Sequence, residues 1–99
     1  MTTREVLVAA RALIDTPEKW IQGTWNLDLA SGATCFCALG ALREVVGGLA
    51  GDAFSLLCDQ VPGRYKRGIA RFNDAPTTTH ADVMALFDRA IAACDAVKP

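Results

Sequence analysis

Four cysteines and a single histidine are the residues of this chain best equipped for chemistry. Cys35 and Cys37 flank Phe36, and Cys37 leads into the small, apolar run Ala38-Leu39-Gly40-Ala41-Leu42. With Thr34 as the cap of a helix starting here, both thiols lie in its first turn. Free N–H groups and the helix dipole favour a thiolate at that place. A nucleophilic cysteine also needs a base, and His80 is the one imidazole on offer. Asn73 and Asp74 precede it, and either can orient an imidazole. Cys37, His80, Asn73 and Asp74 therefore form a candidate Cys–His–Asn/Asp constellation, the equipment of a small thiol hydrolase or transferase. The plainer reading stands beside it. A cysteine before small residues suits close helix packing, a histidine can decorate a helix start, and an Asn-Asp pair bonds turn backbone.

A zinc site is a weaker option. Cys35, Cys37, Cys58 and His80 would supply four ligands, but C-x-C is tighter than the usual zinc spacing and no second pair follows. No metal is expected. Neither the G-x-x-x-x-G-K-[ST] nor the G-x-G-x-x-G phosphate loop occurs, so no cofactor is expected either.

The other marked group is basic. Arg64, Lys66, Arg67 and Arg71 fall within eight positions. On a helix, Arg64, Arg67 and Arg71 share one face by i, i+3, i+7 spacing. Such a stripe would suit an acidic protein partner or phosphate, and the plainer alternative is a solvated face. No recognition-helix, zinc-finger or RNP pattern accompanies it, so a nucleic-acid-associated role ranks behind a protein-binding one.

The whole chain bounds these readings. It has 99 residues, 52% apolar and 21% charged, with a net charge of −1. It is too apolar for disorder and too short for two ordinary domains. Its near neutrality argues against nucleic-acid binding through net charge. No apolar run reaches the ~18 residues of a membrane span. Met1-Thr2-Thr3-Arg4-Glu5 leads into a charged amphipathic pattern rather than a signal sequence, so the cysteines read as thiols in a reducing cytoplasm. The apolar excess leaves room for an exposed patch that meets a second copy, giving a homodimer.

The elements that position these residues read as helices. Thr2 and Glu5 form a capping box for a first helix with Val6, Ala9, Ala10, Leu13 and Ile14 inward, ending near Asp15 before Pro17. Thr16 and Pro17 open a short second turn running to about Gln22. Trp25, Leu27 and Leu29 alternate with Asn26 and Asp28. That period of two fits a short hairpin around Ser31-Gly32 or an extended loop, and the loop is favoured because an isolated hairpin gains little. A helix follows to Gly47-Gly48. Another is capped by Asp52 and ends at Pro62-Gly63. A third covers residues 64 to 73, with Tyr65, Ile69 and Phe72 inward. Thr79 and Asp82 open the last helix with a box-like start, and it runs to about Ala96. The expected fold is all-α: one domain over residues 1–99, a compact bundle of four to six helices with a short hairpin or extended loop around residues 24–36.

Three segments carry a likeness to a known group: Trp20-Ile21-Gln22-Gly23, Cys37-Ala38-Leu39-Gly40-Ala41-Leu42, and Phe72-Asn73-Asp74-Ala75-Pro76 running on to Thr79-His80-Ala81-Asp82-Val83. The chain resembles a family of small uncharacterised proteins of bacterial genomes and their phages, a domain of unknown function, over roughly residues 5 to 95. The family often has Trp where this chain has Phe72, and Cys35 lies outside its pattern. The resemblance implies no activity. It marks Cys37, Asn73, Asp74, Thr79 and His80 as the family's polar positions, either a network that defines the fold or the lining of a site. A small accessory protein acting through binding is the expected role.

Overall fold

The structure is a computed structural model and describes residues 1–48 and 51–96. The described residues hold five α-helices, one two-stranded hairpin and two short 3-10 turns.

Helix α1 (Thr3–Leu13) starts where the sequence places it. The Thr2 hydroxyl accepts the Glu5 N–H at 3.1 Å, and the Glu5 carboxylate accepts the Thr2 N–H at 2.9 Å. Two first-turn donors are thereby satisfied reciprocally. The helix buries Val6, Leu7 and Ala10, and Ile14 closes it, fully buried. A single 3-10 turn (Pro17–Lys19) follows, shorter than expected and without a side-chain bond from Thr16.

Strands β1 (Asn26–Asp28) and β2 (Thr34–Phe36) pair antiparallel, with Leu27 opposite Cys35. The favoured extended loop is thus a hairpin. What stabilises it is its setting: β2 is bridged on its other edge by Trp20, and Phe36 lies in the core. A hairpin packed in this way no longer stands alone.

Helix α2 (Ala38–Val46) starts three residues later than expected, because Cys37 rather than Thr34 is its N-cap. The Cys37 sulfur accepts the Gly40 N–H at 3.2 Å. Cys35 therefore sits in a strand and not in the helix. Gly47, with φ of 76°, closes α2 in the left-handed conformation that glycine adopts without steric cost. Gly40 is required by proximity: a Cβ there would collide with the Trp25 carbonyl oxygen. The hairpin thus rests directly on α2.

Helix α3 (Asp52–Gln60) follows, with Gly51 rather than Asp52 at the cap. The helix expected over residues 64 to 73 is broken. A 3-10 turn (Gly63–Tyr65) gives way to Lys66 and Arg67, both left-handed at φ of 52° and 63°, and only then does α4 (Ile69–Asp74) begin. Gly68 is the cap of α4 and not an interior residue. Helix α5 (His80–Ala96) has the reciprocal start expected for it: Thr79 N–H to Asp82 carboxylate at 2.9 Å, Asp82 N–H to Thr79 hydroxyl at 3.2 Å.

The core forms where α1 packs on α2 and α5, and α3 on α5. Leu7, Ile14, Leu42, Leu57, Leu86 and Phe87 are its largest fully buried apolar side chains. The architecture is a helical bundle with a short hairpin, as the sequence pattern implies.

Candidate functional site

Two of the polar residues marked in the sequence, Asn73 and Asp74, anchor one network. Asn73 lies on the last turn of α4 and is completely buried. Its carboxamide oxygen accepts the Trp20 indole N–H at 2.6 Å and the Ala38 N–H at 3.0 Å. Its amide donates to the Ile21 carbonyl at 3.1 Å and to the Asp74 carboxylate at 2.9 Å. One carboxamide thus joins the 20–21 segment, the start of α2 and its own helix. Each donor and acceptor buried here is paired, as a polar group out of water requires.

Asp74 extends the same network. Its Oδ1 also accepts the Gly23 N–H at 2.9 Å. Gln22 completes it by donating to the carbonyls of Asn73 at 2.8 Å and Ala75 at 3.1 Å, in the turn leading to α5. Trp20 and Gln22 are the site residues that reasoning from chemistry missed. The available signal was the Trp20-Ile21-Gln22-Gly23 segment of the resemblance, which carried no role because its partners lie some fifty residues away.

Cys37 and His80 stand at two different edges of this network. Cys37 is 5% exposed, its sulfur capping α2. Burial pushes its pKa up, and the nearby Asp74 carboxylate adds to the rise, against the lowering effect of the Gly40 and Leu39 N–H groups. The helix start does lower this thiol's pKa, as expected of such a place, but burial outweighs it. His80 turns its Nε2 to the Ile14 carbonyl at 2.7 Å, so that nitrogen carries the proton. It ties the start of α5 to the end of α1, with its ring centroid 6.1 Å from that of Trp20. Among the described residues no hydrogen bond joins Cys37 to His80, and Asn73 bonds Asp74 rather than the imidazole.

A surface pocket of about 250 Å³ opens beside Cys37, lined also by Gly23, Thr24, Trp25, Leu39 and Asp74. The Arg43 guanidinium covers the Trp25 ring at 4.0 Å from its centroid.

The remaining candidates separate. All four cysteines are free and buried. The Cys35 thiol donates to the Glu18 carbonyl at 3.0 Å. Among the described residues no three His, Cys, Asp or Glu side chains gather as metal ligands, so Cys35, Cys37, Cys58 and His80 form no zinc set. The basic residues 64–71 do not share one helical face, since the helix is broken between them. Arg64 lies over the Tyr65 ring, Lys66 and Arg67 occupy the left-handed corner, Arg67 pairs with Asp59, and Arg71 sits on α4.

These features define a small helical bundle with an appended hairpin, held by a buried asparagine network. The chain belongs to DUF6197, a family of unknown function, whose model matches residues 1–93. No curated protein and no solved structure matches it. No helix among the described residues is long and apolar enough to cross a membrane.

Proposed function

We propose that this chain is a binding module that acts through self-association, its hairpin adding edge to edge to the hairpin of a second copy. One observation carries the proposal: Leu27 in β1 and Trp25 and Leu29, which flank it and continue its pairing, remain 48%, 37% and 38% exposed, and the β1 edge is open. Alternate residues of a strand share a face, so the three form one apolar stripe, of the kind that marks an interaction surface.

The backbone supports the same reading. The bonds from Cys37 N–H to the Trp25 carbonyl at 3.1 Å and from Leu29 N–H to the Ala33 carbonyl at 2.7 Å fix which residues face β2. By the alternation of antiparallel pairing, Asn26 and Asp28 turn their N–H and C=O groups to the open edge. A second copy approaching across a two-fold axis at Leu27 brings Asn26 opposite the partner's Asp28. Each such pair exchanges both main-chain bonds. The Asp28 carboxylate meets an asparagine amide rather than another carboxylate. Leu27 meets its own copy, and Trp25 the partner's Leu29, extending the apolar stripe across the axis. An isologous contact needs this kind of self-complementarity.

The thiol-enzyme reading requires an accessible thiolate in reach of a free imidazole nitrogen. The buried, raised-pKa Cys37 and the committed Nε2 of His80 weigh against it. An accessory role, as expected from the phage-associated resemblance, is consistent with a module that works by contact.

Light scattering across a concentration series tests the proposal. The native chain should show a monomer–dimer equilibrium. Leu27→Asp and Asn26→Pro should both abolish it while leaving the circular dichroism spectrum intact. The proline removes an outward-facing donor without touching the β1–β2 ladder. A native chain that stays monomeric at all concentrations would overturn the reading.

A further inference from the structure

On a different face, two arginines converge on one polar pocket. Arg64 comes from the 3-10 turn after α3, and Arg89 from the middle of α5. Together with Thr77, Thr78 and Asp82 they line a recess of about 200 Å³ beside the buried Phe72 ring. Among the described residues Arg4, Arg11, Lys19 and Arg67 each pair with a carboxylate. Arg64 and Arg89 do not. Arg89 gives one N–H to the Gln60 carbonyl at 3.1 Å. The Arg64 guanidinium rests over the Tyr65 ring at 5.0 Å, and Tyr65 packs edge-on against Phe72 at 5.5 Å. Both guanidiniums are therefore positioned, one by stacking and one by a backbone bond, with most of their donors unspent.

We infer that this recess binds a phosphate group, inorganic or the head of a phosphomonoester. Two guanidinium forks offer the planar, multiply donating surface that phosphate oxygens match. Thr77 and Thr78 line the recess beside them. The recess is smaller than the roughly 300–1,000 Å³ of sites that enclose a whole drug-sized molecule, so it suits one polar group. Asp82 is the single carboxylate on its wall. Its Oδ2 is engaged by the Thr79 N–H, and Oδ1 has no partner among the described residues. A free carboxylate oxygen repels a fully ionised anion but accepts from one that still carries a proton. Inorganic phosphate still carries one near neutral pH and a monoester does so below about pH 6, whereas sulfate does not. The pocket thereby favours phosphate over sulfate.

The residues involved explain why the sequence did not reveal the site. Arg64 belongs to the basic cluster, but its partner in the recess is Arg89, twenty-five positions on. Lys66, Arg67 and Arg71 do not line it.

Amide and arginine Nε–H NMR titrations on the full chain test the inference, with inorganic phosphate, phenyl phosphate and sulfate as probes. Saturable shifts at Thr77, Thr78, Arg64 and Arg89 are expected with phosphate or phenyl phosphate, and the tighter of the two identifies the source of the group. Arg64→Gln, on an exposed turn, should weaken binding about tenfold or more, the scale of a charge-assisted bond. Arg71→Gln removes the same charge outside the recess and should change affinity little. Absence of saturable shifts at these four residues would overturn the inference. So would equal weakening by the two variants, or sulfate binding as tightly as phosphate.

Discussion

The indole N–H of Trp20 donates to the carboxamide oxygen of Asn73 across 2.6 Å, joining residues 53 positions apart. The same oxygen accepts the Ala38 N–H, so one acceptor fixes both the approach to the hairpin and the start of α2.

Asn73→Ala should therefore be among the most destabilising polar substitutions in the chain. It strands the Trp20 and Ala38 donors and the Ile21 carbonyl together. At about 1–3 kcal/mol per stranded group, a loss of at least ~3 kcal/mol is expected in urea unfolding. Trp20→Phe keeps an aromatic ring at this half-buried position but removes the donor and part of the indole, leaving Asn73 bonded to Ala38. It should cost only about 1 kcal/mol.

Gly40→Ala tests the seating of the hairpin on α2. The new methyl collides with the backbone of Trp25 and not with a flexible side chain. Alanine otherwise favours a helix interior by up to ~1 kcal/mol. Overpacking of about 1–3 kcal/mol should outweigh that gain. A lowered melting temperature, with NMR shift changes centred on residues 24–28, is the expected result.

Cys37 should behave as a buried thiol. Alkylation near neutral pH should be slower than that of a free cysteine. Its folded pKa is raised by burial, so the unfolded chain loses this proton first as pH rises. The stability tied to it is full below the ordinary thiol pKa and is lost as pH climbs through that value toward the higher folded one. Cys58 is shifted the same way by burial and adds to the slope. Cys37→Ser supplies a preferred cap residue in the same place. It should keep the fold and flatten part of the alkaline decline seen in denaturant titrations.

Lys66→Gly should stabilise the chain. A left-handed residue with a side chain costs roughly 1–2 kcal/mol, whereas glycine's extra unfolded-state freedom costs about 0.5–1 kcal/mol. The net expectation is a gain of about 0.5 kcal/mol, measured as a higher urea midpoint. Arg67→Gly gains less, because it also removes the ion pair with Asp59, an exposed contact worth ~0–1 kcal/mol.

What was legible in the sequence is what is local. The Thr2–Glu5 and Thr79–Asp82 boxes span three residues and read directly, as does most of the inward face of α1, although the expected set omits the fully buried Leu7. The start of α2 misled because a threonine is the better cap by type, yet Thr34 is held in β2, and pairing with β1 decides that. The break after Tyr65 was hidden because Lys66 and Arg67 carry no left-handed signature; the chain turns there to deliver Ile69 and Phe72 to the core. At the candidate site, the types of Cys37, Asn73, Asp74 and His80 drew notice. Their partners did not, since Trp20, Gln22 and Ile14 come from remote segments. Asn73 and Asp74 anchor a shared network of remote groups, while Cys37 caps α2 and His80 ties the start of α5 to the end of α1.

The Ala38 amide, the Trp20 indole and the Ile21 carbonyl all close on the Asn73 carboxamide, so none can be released to solvent without disturbing the others. Segments far apart in the chain then open together or not at all. Hydrogen exchange at the Ala38 amide should accordingly match the slowest amides of α5, reporting unfolding of the whole domain rather than fraying of α2.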